Sequence, residues 1–396
     1  MQALNLLQGH LTEACPTIHA TRLQSVIDVA AGLQASQNLT LTSMARKLPS
    51  AVSIKQKIKK VDRLEGNKHL HAELEALYEG LSGYIFKYLQ HARCIPVVVD
   101  LCYLKDNRAI QMLSAEVAVK GRSLPIYREV FKTGELKGRA EKFLTGVEGC
   151  LPAGSSVVLI MDAGFGSDWL KAIESKQWHW VLRVRQGKSI KLSAQEEWME
   201  AKAFFPQIGT RAKQYSEAYI IRRAEHRCRL ITKKSGLKHT KSGYKRQPRN
   251  YNAGNGDYRR SAKEPWILAS NLPMSYTTTQ ILNYYRKRMQ IEESFRDVKS
   301  HQFGLGARYA RTECVYRWGV KLLLAAIVQI VYWLLGVIGH SQGFQKVFQA
   351  NTVKDKKLFS YFYLGKLIVE HDMIKELEYT SKNLAEIIEK ELAREW

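Results

Sequence analysis

Acidic residues are scarce in this sequence, paired cysteines are absent, and each lack narrows the possibilities. Only 37 Asp and Glu stand against 61 Lys and Arg in 396 residues, a formal net charge of +24 with a pI near 9.7. A compact chain so charged repels itself unless a polyanion neutralises it. Nucleic acid is the partner this points to, because each neutralised phosphate releases a condensed counterion. A membrane surface is the competing polyanion. The six cysteines (Cys15, Cys94, Cys102, Cys150, Cys228, Cys314) include no C-x-x-C pair and no neighbouring Cys/His cluster. That excludes a zinc module and a disulfide framework, and predicts free thiols in a reducing cytoplasm. The first fifteen residues carry neither a basic n-region nor a long apolar run, so no secretory signal is expected.

Long uncharged runs are scarce too. A single one, LLLAAIVQIVYWLLGVIG over 322–339, is long enough to span a bilayer. Gln329 sits at its centre, no second such segment exists, and basic residues lie on both sides. The expectation is therefore a helix buried on all sides of a large domain, with no membrane partner. Internal repeats and low-complexity tracts are absent as well.

What is present divides along the chain, whose length suggests two or three domains. Residues 1–92 read as helical and basic. In SIKQKIKKVDRLEGNKHL (53–70), Ile54, Ile58, Val61 and Leu64 recur at helical spacing. Lys55, Lys59, Lys60 and Arg63 lie among the cations that fill the polar face. With a short helix upstream, in LTLTSMARKLPS (39–50), this predicts a helix-turn-helix-like pair that binds DNA. A merely solvated basic surface is the plain alternative. From 93 onward, strand patterns alternate with helical ones, which predicts an α/β fold. CIPVVVD (94–100) and SSVVLIMD (155–162) are apolar runs ending in Asp100 and Asp162, and 109–131 reads as a strand pair turning at Lys120-Gly121-Arg122. A β-rich insertion is expected over about 186–265. Within it, 232–263 holds ten Lys or Arg against Asp257 and is expected to be a mobile loop that orders on DNA.

Either aspartate alone reads as a turn former or helix cap. A third carboxylate changes that balance. On a helix predicted over 277–300, Tyr285, Arg288, Glu292 and Lys299 are offset by 0, 3, 7 and 14 residues. At roughly 100° per residue they fall within about 60° of one another, beside an apolar stripe of Ile291, Phe295 and Val298. A surface helix laced with i, i+4 ion pairs explains the charges but not their alignment beside the buried stripe. Glu293, a further turn-fraction from that stripe, is the poorer candidate. Phosphodiester cleavage by two divalent ions needs shared anionic oxygens, and three carboxylates supply them. Arg288 and Lys299 would grip phosphates without competing for the metal.

The pattern Y-x-x-R-x-x-x-E-x-x-x-x-x-x-K, here Tyr285, Arg288, Glu292 and Lys299, resembles the signature of a family of bacterial insertion-sequence DDE transposases. The family includes the transposase of the tetracycline-resistance composite transposon. PVVVD (96–100), MDAGF (161–165), WHWVLRVRQG (178–187), SAKEPWILASNLP (261–273), KRMQIEESFRDVKS (287–300) and FGLGARYAR (303–311) carry the same resemblance. It implies a ribonuclease-H-like catalytic domain over 93–396 with a mostly β insertion, preceded by a helical DNA-end-binding domain over 1–92. Asp100, Asp162 and Glu292 would be the catalytic metal ligands, for Mg²⁺ with Mn²⁺ as a substitute. The implied partners are terminal inverted repeats and target DNA, with a homodimer in the paired-end complex, in the cytoplasm. The implied chemistry is cleavage through a DNA hairpin, then strand transfer. Trp266, in KEPW, is the candidate platform for a flipped base; its other reading is a core aromatic of the strand WILAS. A catalytically inactive DNA-binding relative and a metal-dependent nuclease are the alternative functions.

Overall fold

The computed structural model describes residues 2–89, 94–119, 121–234, 264–352 and 358–392. The basic stretch of the insertion beyond Lys234, and Lys120 of the predicted hairpin, lie outside these described residues. The chain divides into two compact units, one of residues 1–157 and 287–396, the other of residues 158–286.

The first unit opens with helices α1 (Gln2–Ala14), α2 (Ala20–Ser36), α3 (Leu41–Arg46), α4 (Ile54–Glu65), α5 (Lys68–Ala72) and α6 (Leu74–Phe86). Helix α4 starts where Ser53 and Gln56 form a reciprocal capping box, which satisfies two otherwise orphaned N–H groups. Its sequence-predicted stripe is only half used. Val61 and Leu64 are buried while Ile54 is exposed, so the N-terminal end of α4 projects from the fold. Gly66 ends the helix, and Asn67 caps α5 by accepting from the Leu70 N–H. The single helix read over 53–70 is therefore two. Helix α3 packs against α4, the short-helix and long-helix pair that the sequence suggested.

Strands β1 (Cys94–Tyr103), β2 (Ile110–Val119) and β3 (Arg122–Lys132) follow as an antiparallel meander in the order β3-β2-β1. The hairpin expected over 109–131 is the β2–β3 pair. Gly121, at φ 73°, takes the left-handed conformation that its turn requires. Asp100 is not at a strand end as expected. Strand β1 continues past it because β2 keeps pairing as far as Tyr103 with Gln111. Helix α7 (Ala140–Gly149) leads out of the meander.

The second unit begins within β4 (Ser156–Met161) and continues through α8 (Ser167–Ser175), β5 (His179–Arg183), β6 (Ser189–Lys191), β7 (Met199–Glu200), α9 (Ala201–Phe204), β8 (Lys213–Ile220), β9 (His226–Lys233), β10 (Trp266–Ser270) and α10 (Thr278–Arg286). Its strand order is β4-β5-β10-β9-β8-β6-β7. The β4–β5 pair is parallel, joined by the α8 crossover, whereas β5–β10, β10–β9, β9–β8, β8–β6 and β6–β7 are antiparallel. The expected insertion is β-rich where it is described.

The chain returns to the first unit with α11 (Met289–Lys299), α12 (Val315–Ser341), α13 (Gln345–Phe348), α14 (Tyr361–Glu370) and α15 (Ser381–Leu392). Helix α12 contains the uncharged run. It is long and apolar enough to cross a membrane, yet its most apolar window is wholly buried. It packs on α14, β3, α2, α6 and α15, as an all-round apolar helix at a domain centre does. Two glycines permit its closest crossing: a methyl group on Gly336 would land on the Tyr361 carbonyl, and one on Gly365 on the Tyr332 carbonyl. Backbone cannot yield as a flexible side chain can. Gly336→Ala is thus expected to cost about 3 kcal/mol, seen as a lower denaturant midpoint with an unchanged slope. A midpoint equal to wild type would show that the helices separate freely.

Candidate active site

In the first unit, one face of the meander carries the chemistry. On β1 the side chains of Asp100 and Cys102 point to the same side, and register places Asp100 opposite Ser114, and Cys102 opposite Met112. Helix α11 packs on all three strands with Ile291, Phe295 and Val298 buried, so the apolar stripe read from the sequence does seat this helix on the sheet. Burial pushes the Cys102 thiol up to about 12, with Lys299 lowering and Asp100 raising it more weakly. Both charges therefore lie near this end of β1.

A fully buried polar network fixes α11. Glu116 pairs with Arg128 at 2.8 Å, both side chains being inaccessible. The Glu116 carboxylate also accepts from the hydroxyls of Ser114 at 2.8 Å and Ser123 at 2.6 Å. Arg128 donates to Ser114 Oγ at 3.1 Å and reaches Ser294 Oγ at 3.5 Å. From α12, Gln329 Nε2 donates to the same Ser294 hydroxyl at 3.1 Å. A register shift between Ala115 and Glu116 sets Glu116 opposite Pro125. Such a bulge re-aims side chains and accommodates a proline that cannot donate to the ladder. Ser294, two residues from Glu292, is thereby held from the sheet and from the core helix.

The single helix expected over 277–300 is broken in two. It ends at Arg286 and restarts at Met289. Hydrogen bonds tighten there to the i, i+3 pattern, with the Gln290 N–H on the Lys287 carbonyl at 3.0 Å and that of Ile291 on Arg288 at 3.2 Å. Tyr285 consequently stands on a different helix from the other three, whereas Arg288, Glu292 and Lys299 keep a common face at the start of and along α11. Tyr285 belongs to α10 in the second unit, where it is buried. Its ring meets that of Trp266 edge-on, with centroids 5.1 Å apart. Trp266 itself is half-buried at the first position of β10.

Arg288 stands at the start of α11 and is 6% exposed. Its Nη1 donates to Asp100 Oδ2 at 2.8 Å and its Nη2 to Glu292 Oε1. Asp100 Oδ1 accepts from the Leu101 N–H at 2.8 Å. Two of the three expected carboxylates are therefore brought together, both facing one cation. Lys299 stands seven residues beyond Glu292 in α11, two turns along the same face, its ammonium 5.9 Å from the Phe295 ring centroid. The carboxylate of Glu293 instead pairs with Arg296 and lies 3.6 Å from Arg122, so it faces away from Asp100. Farther along, Asp297 is buried and bonded to Arg122 Nε at 2.8 Å. Burial pushes it up to about 7, against the lowering effects of Arg122 and Arg296. Because the folded value is raised, its contribution to stability is complete below the ordinary carboxylate range and is lost as pH rises through 7. Asp297→Asn is expected to flatten the dependence of Tm on pH between 5 and 8; an unchanged slope would place that dependence elsewhere.

In the second unit, Asp162 directly follows β4, as the sequence predicted. It sits at the carboxyl end of a parallel strand ahead of a crossover helix, where α/β sheets concentrate chemistry. Arg185 grips it, with Nη2 to Oδ2 at 2.7 Å and Nε to Oδ1 at 3.4 Å. Beyond Asp162, Ser167 Oγ lies 2.8 Å from His226 Nε2, tying the start of α8 to β9. Arg185 was not singled out from sequence, though its place two residues past β5 is the available signal. The Glu116–Arg128 network was missed too; a carboxylate inside the apolar strand SAEVAV was its sign.

The donor chemistry fits a hard divalent cation, since carboxylate oxygens are what Mg²⁺ and Mn²⁺ take. Asp100 and Glu292 already point at one positive charge. Among the described residues, no three His, Cys, Asp or Glu side chains are gathered as a metal cluster.

The basic residues expected to bind DNA lie on α4. Lys55, Lys59 and Arg63 are exposed, and Lys60 pairs with Asp28. A hollow of about 870 Å³ opens between α4 and the start of α2, lined by His19, Arg22, Lys59, Lys60, Arg63 and Asn67. Lys55 is not among its lining residues.

A family model described as a transposase DDE domain matches residues 104–326, more than half of the chain. The match begins just beyond Asp100 and takes in Asp162 and Glu292. No curated protein matches the chain.

Proposed function

The chain belongs to the DDE-domain transposase family, and we propose that it is a cut-and-paste enzyme of the Y/R/E/K-signature group that cleaves the ends of its own element and joins them to target DNA. The observation that carries this reading is the convergence of Asp100 and Glu292 on the buried guanidinium of Arg288. Two carboxylates on different elements are held close in a chain whose surplus of positive charge suits a phosphate substrate.

Asp100, Glu292 and, from the second unit, Asp162 are the proposed ligands of divalent metal. Mg²⁺ bound there would supply a charge for the phosphoryl oxygens and lower the pKa of a coordinated water. The chain's own contribution is positional. The buried network at Ser294 fixes the helix that carries Glu292, and the Leu101 N–H orients Asp100. Arg288 and Arg185 neutralise the acids before substrate arrives. On DNA these guanidinia, with Lys299, are the donors suited to phosphate oxygens. Trp266, backed by Tyr285, is the proposed platform for a base flipped out during hairpin formation, and the helices of 1–92 the proposed reader of the terminal inverted repeats, through Lys55, Lys59, Lys60 and Arg63. A homodimer on two paired ends is part of the same proposal.

Sealed duplex ends are the diagnostic product. Purified protein with a labelled terminal duplex and Mg²⁺ is expected to give nicked DNA and then hairpins on a denaturing gel. Trp266→Ala should accumulate the nicked form, with hairpins reduced at least about tenfold. Nicks with no hairpins from wild type would instead favour the metal-dependent nuclease.

A further inference from the structure

A second hollow lies at the turn that joins α4 to α5 and is built wholly within the first unit. It measures about 680 Å³ and is lined by Gly66, Lys68, His71, Cys314, Tyr316 and Arg317.

 Two features make it more than a dent. The rings of His71 and Tyr316 stack, with centroids 5.4 Å apart and planes 22° from parallel. His71 Nε2 donates to the Glu65 carbonyl at 2.8 Å, which fixes the inner ring, while Tyr316 is 66% exposed. The platform is thus set before anything binds. Around it stand two cations of different character. Lys68 is exposed. Arg317 is anchored by Asp62 at 2.7 Å, and its guanidinium passes where a side chain at position 66 would crowd it, 3.4 Å from the Cβ that Gly66 lacks.

An exposed aromatic face beside fixed and mobile cations is the chemistry that holds an unpaired nucleotide, the ring stacking on the base and the cations meeting the phosphate. Bases stacked within a duplex cannot reach such a platform, so the occupant must be single-stranded. We propose that the His71–Tyr316 hollow is a binding site for an unpaired DNA nucleotide, separate from the Asp100–Glu292 pair and from Trp266. The proposal rests on DNA being the partner of this chain. Asn67, which lines the first hollow, adjoins Gly66 and Lys68 of the second, so a strand leaving one has a basic path to the other.

Cys314 supplies a direct readout, because it is the exposed thiol among the described cysteines and the other five are buried. Full-length protein is titrated with a fluorescent 12-nucleotide single strand and, separately, with the same sequence as a duplex. Maleimide labelling of Cys314 is followed in both. The expected results are protection of Cys314 by the single strand, about tenfold weaker single-strand binding by Tyr316→Ala, and recovery by Tyr316→Trp. Duplex affinity should stay within twofold of wild type. Lys68→Ala should reduce the salt dependence of single-strand binding by about one unit of slope. If Cys314 labels equally with and without saturating single strand, or if Tyr316→Ala leaves single-strand affinity unchanged, the proposal is overturned while duplex binding upholds DNA as the partner. If wild type binds neither form, the proposal and the functional reading fail together.

Discussion

Arg128→Ala is expected to destabilise the first unit by about 3–5 kcal/mol, because it strands the Glu116 carboxylate in a site that excludes water. Glu116 and Arg128 are both inaccessible, so no solvent shell can replace the lost guanidinium. The Ser114 and Ser123 hydroxyls that remain on the carboxylate cannot balance its charge. Thermal unfolding should shift down by roughly 10 °C. The double replacement Glu116→Met with Arg128→Met should recover much of that loss, since an apolar pair of similar volume removes the uncompensated charge. Its cost should appear elsewhere: without Arg128 the Ser294 hydroxyl loses one of its anchors, and DNA cleavage should fall even where stability returns. A single variant with wild-type Tm would mean that the pair is hydrated and does not position α11.

Glu292→Gln carries the largest expected effect on activity. The change keeps size and shape and removes one negative charge from the pair facing Arg288. If that pair holds divalent metal, the lost anionic ligand should reduce cleavage by on the order of 10³-fold or more, corresponding to about 4 kcal/mol at the transition state. Affinity for the duplex end should change little, since a neutral amide repels phosphate less than a carboxylate does. Glu293→Gln is the matched control and should cut within severalfold of wild type, because Glu293 faces Arg296 and Arg122. Equal losses in the two variants would show that general electrostatics, not a ligand at 292, controls the rate.

Much of this was legible in the sequence, for identifiable reasons. The β4 run ends at Asp162 because a parallel strand buried on both faces is a continuous apolar stretch. The stripe Ile291, Phe295 and Val298 packs as its spacing requires. The charge-free segment proved to be a core helix, and Gln329, its single central amide, found a role in holding Ser294.

Other features left no local trace. The break between α10 and α11 is marked by neither glycine nor proline, and Arg288 keeps helical angles, φ −54° and ψ −35°. Apolar positions recur on both sides of it, so periodicity runs across the break unchanged. The extension of β1 beyond Asp100 depends on pairing with β2, a tertiary fact that overrides the end of an apolar run. Arg128 and Glu116 lie on adjacent strands, and the bulge that aligns them involves Pro125, which by itself reads as an edge or strand end. The Arg288 bridge joins residues 188 positions apart, beyond what local spacing can reveal.

The most direct test of the central claim is strand cleavage of a labelled terminal duplex by wild type and by Asp100→Asn, Asp162→Asn and Glu292→Gln, with Mg²⁺, with Mn²⁺ and with chelator, alongside binding to the same duplex. The account predicts cutting by wild type with either metal, none with chelator, and three variants that bind as wild type does but do not cut. Cleavage that persists in any one of the three variants, or a wild type that binds and never cuts with either ion, would contradict it.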